Sequence, residues 1–220
     1  MKALIIRNIN ILFSKQNAIF FLIIICNIIT GFAVRKVGAD FTFYTLSGLF
    51  VTLRYPSFLI LGNYLLVWSY FLFLAMLIFY YDEERNEEFL LFRISQTKYL
   101  ISKLFSIILV DSIVTLLFEM ISLFFGVYDF YFLTEMFFFL VGLHFLFQLI
   151  FLSFSLFIKS KSVMFFLLFL LIIVFIVESF NKTILEVFLY LKYHWFILIV
   201  FIFLFWIIFL YLAKWRRKKM

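Results

Sequence analysis

Charged side chains are scarce in this 220-residue chain, where they account for only 14% of the residues. Hydrophobic residues account for 67%, and apolar runs of about 18 residues or more recur along the sequence. A soluble domain of this length covers its surface with charged side chains, so the shortage excludes an ordinary water-soluble fold. The composition predicts an integral membrane protein of the all-α class.

Residues that build catalytic and metal sites are equally few. The single cysteine, Cys26, lies inside an apolar run, which excludes an intramolecular disulfide and a cysteine-based metal site. The two histidines, His144 and His194, belong to no His-Glu-x-x-His pattern. The sequence has no Gly-x-x-x-x-Gly-Lys-Ser/Thr loop to cradle nucleotide phosphates. We therefore expect neither an enzyme nor a metal or cofactor site, and any ATP and Mg²⁺ would be bound by a separate subunit.

The formal net charge is +7, but the basic residues flank the apolar runs instead of forming a nucleic-acid-binding patch, so we expect no nucleic-acid partner. Each apolar run is about long enough to cross a hydrocarbon layer of ~30 Å. The runs predict six transmembrane helices at residues 17–34, 58–81, 100–126, 135–158, 163–178 and 195–213.

The orientation follows from the distribution of lysine and arginine. With the N-terminus inside, 14 of the 19 basic residues lie on the cytoplasmic side and 5 lie outside. The positive-inside rule therefore places both termini and the 82–98 loop in the cytoplasm, and residues 35–57 and 179–194 outside.

The first 16 residues form an amphipathic segment suited to an interfacial helix that leads into the first crossing helix. Its apolar face consists of Ile5, Ile9, Leu12 and Phe13. Residues 37–39 resemble a signal-peptidase site, but Arg35 and Lys36 separate them from the apolar run, which disfavours cleavage. No second domain or linker interrupts residues 1–220, which we interpret as one membrane domain.

The third predicted helix has a polar face within an arc of about 100°. Its members are Asp111, Ser112, Thr115, Glu119 and Ser122. A carboxylate at mid-membrane costs about 2.5–3.5 kcal/mol on insertion scales, so this face should contact protein or water. It is either a pathway or proton-linked residue, or a polar seam that holds helices or a dimer together. His144 and Gln148, one turn apart on the fourth helix, could meet this face, but the sequence favours a satisfied packing pair.

The 82–98 segment between the second and third helices begins with acidic residues and ends with basic ones, as a short helix does. Between them lies an apolar knob, Phe89–Phe92, which is too short to cross a bilayer and must be buried against something. The segment resembles the permease subunits of type 2 ATP-binding-cassette (ABC) exporters, including small permeases that accompany bacteriocin and lantibiotic immunity ATPases. The matching residues are Glu83, Glu84, Arg85, Leu90, Leu91, Ser95, Lys98 and Lys103. The sequence departs from the family where Asn86 and Glu87 replace a frequent Gly-Thr pair and Ile94 replaces a frequent proline.

The resemblance implies a single permease domain in a bacterial plasma membrane, exporting a hydrophobic or amphipathic substrate, with peptide as the first candidate. Its partners would be a cytoplasmic ABC ATPase, a second copy or a sister permease, and membrane lipid. The matching residues, with Phe89 and Phe92, would form a cytoplasmic coupling helix that docks on the ATPase. The alternative is a non-transporting immunity or structural protein of a larger complex, for which the charged loop is only a solvated turn.

Overall fold

The computed structural model of the chain describes residues 2–10, 15–34, 58–80, 95–124, 130–158, 162–163, 165–170, 172–173 and 194–219. All the regular secondary structure in these residues is helical. The principal helices are α1 (Lys2–Asn10), α2 (Lys15–Val34), α3 (Phe58–Tyr80), α4 (Gln96–Phe124), α5 (Phe130–Ser155) and α6 (Trp195–Lys219). The short described stretches between residues 162 and 173 are also helical.

Three of these helices are long and apolar enough to cross a membrane, over Thr97–Phe124, Phe130–Ser155 and Phe196–Trp215. At about 1.5 Å per residue, even a 20-residue stretch spans ~30 Å, the thickness of the hydrocarbon layer. The expectation of an all-helical fold with helices long and apolar enough to cross a membrane is therefore confirmed for the described residues. Six crossings, cytoplasmic termini, an interfacial role for α1 and a coupling helix stay predictions, and residues 82–94 lie outside the described part.

Helix α5 contacts α3, α4 and α6, while α4 contacts α1, α2, α3 and α5, and α3 also contacts α2. The buried side chains of α5 are mainly large and apolar, as expected where one helix is surrounded by others. Helix α1 packs against α4, and Ile9 of its apolar face contacts the core. Polar side chains carried inward by α4 and α5 are therefore brought together within one core.

Helices α4 and α6 extend into polar residues beyond the predicted apolar runs, and α5 begins at Phe130 instead of residue 135. Helix α4 begins at Gln96 instead of residue 100, and the amide of Tyr99 donates to the carbonyl of Ser95 at 3.0 Å. Helix α6 continues to Lys219 instead of ending at residue 213. Neither extension contains Pro or Gly, and basic residues at a helix C-terminus interact favourably with the helix dipole. Polar residues end an apolar run without ending a helix, which explains both extensions.

Helices α5 and α6 approach closely at Gly142. A Cβ atom there would lie 3.0 Å from Leu198 Cδ2 and 3.4 Å from Ile202 Cδ1 of α6. Small residues allow such approaches between membrane helices, where van der Waals packing drives association. Elsewhere α6 directs most of its apolar side chains outward, including Phe203 and Tyr211.

Candidate functional site: a polar centre between α3, α4 and α5

A buried glutamine joins three helices. Gln148 of α5 is fully buried, and its Nε2 donates to Oδ1 of Asp111 on α4 at 3.1 Å. The same nitrogen donates to the backbone carbonyl of Phe71 on α3 at 2.8 Å. The sequence favours a satisfied packing pair for His144 and Gln148 over a contact with the polar face of α4, whereas the structure shows Gln148 bonded to Asp111 on that face. Such interhelical bonds contribute about 0.6–1.7 kcal/mol each in membrane proteins.

We call Asp111, Thr115 and Glu119 of α4 together with Gln148 of α5 the polar centre. Each of these residues has a side-chain oxygen atom that makes no hydrogen bond within the described residues. These atoms are Oδ2 of Asp111, Oε1 of Gln148, Oγ1 of Thr115 and Oε1 of Glu119. Asp111 is 0% exposed and Thr115 is 1% exposed, whereas Glu119, two turns beyond Asp111, is 9% exposed. Buried polar groups without partners are uncommon in proteins, so this concentration marks the centre as a candidate functional site.

The two serines of the predicted polar face do not contribute to this capacity. Ser112 Oγ donates to the carbonyl of Ile108 at 2.8 Å, and Ser122 Oγ donates to that of Glu119 at 2.6 Å. Serine side chains in helix interiors commonly bond to the preceding turn in this way. The polar face therefore reduces to Asp111, Thr115 and Glu119 as groups able to bind something further.

Aromatic rings enclose the polar centre. His144, one turn before Gln148 on α5, is fully buried and stacks on the Phe71 ring with 3.6 Å between centroids. The edge of Trp68 approaches the same imidazole at 5.3 Å. Both imidazole nitrogens lack hydrogen-bond partners in the part of the chain that the structure describes. On the other side of α3, Tyr70 lies close to Asn17 of α2 and near Asp111.

A second buried polar contact joins α3 to α4. Lys103 is 1% exposed, and its Nζ donates to the backbone carbonyl of Phe79. That carbonyl belongs to the last turn of α3, where carbonyl groups have no partner within the helix. The ammonium also lies 4.7 Å from the centroid of the Tyr99 ring and 5.1 Å from that of Phe79. Lys103 thus stabilises the end of α3 from the second turn of α4.

The coupling role of Lys103 stays a prediction, and the structure places its side chain inside the helix packing. A lysine at the edge of an apolar run is normally solvated, but here its stem is buried and its ammonium reaches a carbonyl and two rings. Ser95 and Lys98 of the same predicted set are exposed. The remaining members lie outside the described residues: Glu83, Glu84, Arg85, Phe89, Leu90, Leu91 and Phe92.

Two further observations concern which ligands the described residues could hold. An open apolar groove of about 440 Å³ lies between α3 and the helical residues near position 168. Its lining consists of Leu65, Leu66, Ser69, Phe165, Leu168, Phe169 and Ile172. Within the described part of the chain, no group of three or more His, Cys, Asp or Glu side chains could hold a metal ion.

Comparison of the chain with protein-family models, curated proteins and solved structures finds no match. Within the described residues, the chain is all-helical and has three helices long and apolar enough to span a membrane.

Proposed function

We propose that this chain is the permease subunit of an ATP-driven exporter of the type 2 ABC class, which moves a hydrophobic or amphipathic substrate, first of all a peptide. The single observation that carries the proposal is the order of residues 82–103: acids, an apolar Leu-Leu element, a serine turn and lysines. ATP and Mg²⁺ would be bound by a cytoplasmic partner ATPase. A second copy or a sister permease would complete the pathway.

The lengths of the helices support a six-crossing architecture. Beyond the three longest apolar stretches, α2 has 20 residues and α3 has 23, each enough to span ~30 Å. A sixth crossing would include the helical residues near position 168. With 14 of 19 basic residues on one side, both termini and the 82–98 segment would face the cytoplasm of a bacterial cell.

The contacts at the two ends of the proposed coupling segment support a mechanical role. The segment would connect α3, which ends at Tyr80, to α4, which begins at Gln96. Because Lys103 bonds to the carbonyl of Phe79, the two flanking helices are joined just beyond the segment. A displacement applied to the segment would therefore move α3 and α4 together, and the Asp111–Gln148 hydrogen bond would transmit it to α5.

In this proposal the groove binds the cargo, and the polar centre acts on the packing of the helices. The groove beside α3 is lined by apolar side chains, which suits a hydrophobic cargo. The polar centre is buried inside the helix packing, so it would hold helices together or respond to their movement.

The proposal is tested by replacing the apolar knob with charges. Each large apolar side chain that is fully buried in an ATPase groove would contribute roughly 1.5–3 kcal/mol before ordering costs. Leu90→Asp combined with Leu91→Asp should abolish recovery of a Walker-motif ATPase in pull-downs from native membranes, at matched permease levels. Glu84→Lys is the graded control, because rim charges contribute less than buried anchors, and it should reduce recovery only partly.

The non-transporting alternative predicts a different result. An immunity or structural protein would copurify with other membrane components but with no Walker-motif ATPase. Equal recovery of the ATPase by the wild type and the double variant would remove the coupling role of the segment and with it the main reason for the transporter proposal.

A further inference from the structure

Gln148 and Asp111 have more hydrogen-bond acceptors than donors when the carboxylate is ionised. One N–H of Gln148 is directed to the Phe71 carbonyl and one to Oδ1 of Asp111, so both donors of this amide are used. The two atoms left over, Oε1 of Gln148 and Oδ2 of Asp111, have no partner within the described residues. An ionised carboxylate only accepts hydrogen bonds, so both of these leftover atoms would be acceptors with no proton between them.

Within the described residues, no charged side chain bonds to the Asp111 carboxyl. The titratable group nearest it on α3 is Tyr70, and α5 contributes His144. On α4 itself, Lys103 and Glu119 each lie two turns away, or roughly 12 Å along the axis. Helix α2 contributes the neutral Asn17 near Tyr70, and α1, which packs against α4, carries Arg7. Among the described residues, the only hydrogen bond to the Asp111 carboxyl comes from the neutral amide of Gln148.

We propose that Asp111 binds an exchangeable proton on Oδ2, which makes the polar centre between α3, α4 and α5 a proton-binding site inside the membrane. Protonation forms the Oδ2–H bond with a proton taken from water, and release returns it. The neutral carboxylic acid and the Gln148 amide then present complementary edges, since each offers one donor and one acceptor to the other. A neutral acid also avoids the cost of an unpaired charge in a low-dielectric core. This inference is independent of the transporter proposal.

Helix α4 provides a route for the proton. Thr115 follows Asp111 by one turn and Glu119 follows by two, so the three side chains share a face. The Thr115 hydroxyl can both donate and accept, and it has no other partner within the described residues. Glu119 is the most exposed of the three, which makes it the entrance.

Infrared spectroscopy of the full-length protein in lipid vesicles near neutral pH tests the site. The Glu119→Gln variant serves as the background, because it removes the other carboxyl of this face. We expect a carbonyl band of a protonated carboxylic acid that shifts in D₂O and is lost on adding Asp111→Asn. Because asparagine can reproduce the neutral acid's hydrogen bonds, this variant should still fold. If it does not fold, ¹³C-carboxyl labelling of aspartate in the unaltered Asp111 protein must shift the band instead.

The assignment would be overturned if the band were absent, if it did not shift in D₂O, or if it persisted in the variant that lacks Asp111.

The proton route through Thr115 has its own test. Starting from the wild type, Thr115→Val should slow hydrogen–deuterium exchange of the Asp111 proton several-fold, whereas Ser112→Ala should leave the exchange rate unchanged, since Ser112 already bonds to Ile108. Equal rates in both variants would refute the route through Thr115.

Discussion

Removal of the Lys103 ammonium is the most direct test of how α3 and α4 are joined. Lys103→Met keeps most of the buried stem and deletes the nitrogen that bonds to the Phe79 carbonyl. It also deletes the contacts with the Tyr99 and Phe79 rings. The variant therefore isolates the polar contribution of a side chain that is 1% exposed.

Two effects of opposite sign decide the outcome. A hydrogen bond from a charged donor contributes about 1.5–3 kcal/mol, and cation–π contacts add about 0.5–2 kcal/mol. Against them stands the desolvation of the ammonium, which is several kcal/mol for a fully buried ion and is relieved in the variant. Deletion also leaves the Phe79 carbonyl at a helix end without its donor, a loss of about 1–3 kcal/mol. We expect the loss of the donor to the Phe79 carbonyl to outweigh the relief of desolvation, so that the variant protein is less stable by about 1–3 kcal/mol.

The measurement is the free energy of unfolding in mixed micelles, titrated with a denaturing detergent. Lys98→Met is the matched control, because Lys98 lies on the same helix and is exposed. Substitution of an exposed lysine away from any partner usually changes stability by less than about 0.5 kcal/mol. If Lys103→Met were as stable as this control or more stable, desolvation would outweigh the contact and Lys103 would not hold α3 to α4.

Four further substitutions at three positions test other contacts in the same assay. Gln148→Leu should destabilise the protein by about 1 kcal/mol, because it removes the donor shared by two helices, and an unchanged stability would show that these bonds contribute nothing. His144→Phe should leave stability unchanged or raise it, since the Phe71 stack persists and two unpartnered nitrogens disappear, whereas a loss would point to a missing hydrogen bond. Gly142→Ala should be nearly neutral, because the Leu198 methyl can shift and alanine favours the helix by about 1 kcal/mol, while Gly142→Phe should force α5 and α6 apart and destabilise strongly.

Hydropathy predicts where the helices lie because lipid-facing segments must be apolar over a fixed length, and α2 and α3 lie within two residues of the predicted bounds. The inward polar face of α4 was also predictable, since a carboxylate such as Asp111 is too costly to face lipid. The partner of Asp111 could only be suggested, because its contact with Gln148 depends on how two helices are rotated against each other.

Two features of the site differ in whether the sequence carries a local signal for them. The burial of Lys103 had no local signal, since its acceptor is a backbone carbonyl 24 residues earlier and every residue carries a carbonyl. The role of Ser112 did have a signal, because a helical serine commonly bonds to the carbonyl four residues before it. That rule alone favours removing Ser112 from the candidate pathway, since its hydroxyl proton is already donated within its own helix.

The two buried contacts of α4 determine which parts of the helix packing can move. Lys103 joins α4 to the end of α3, and two turns further along, Asp111 is joined to α5 by the same glutamine that bonds to α3. Separating α3, α4 and α5 would therefore break several buried polar contacts at once, each without water to replace it. The interface of α5 with α6 is different, because at Gly142 it consists of apolar side chains against a glycine. Sliding at that interface exchanges one van der Waals contact for another. Any large rearrangement of this protein should consequently keep α3, α4 and α5 together and move α6 past them.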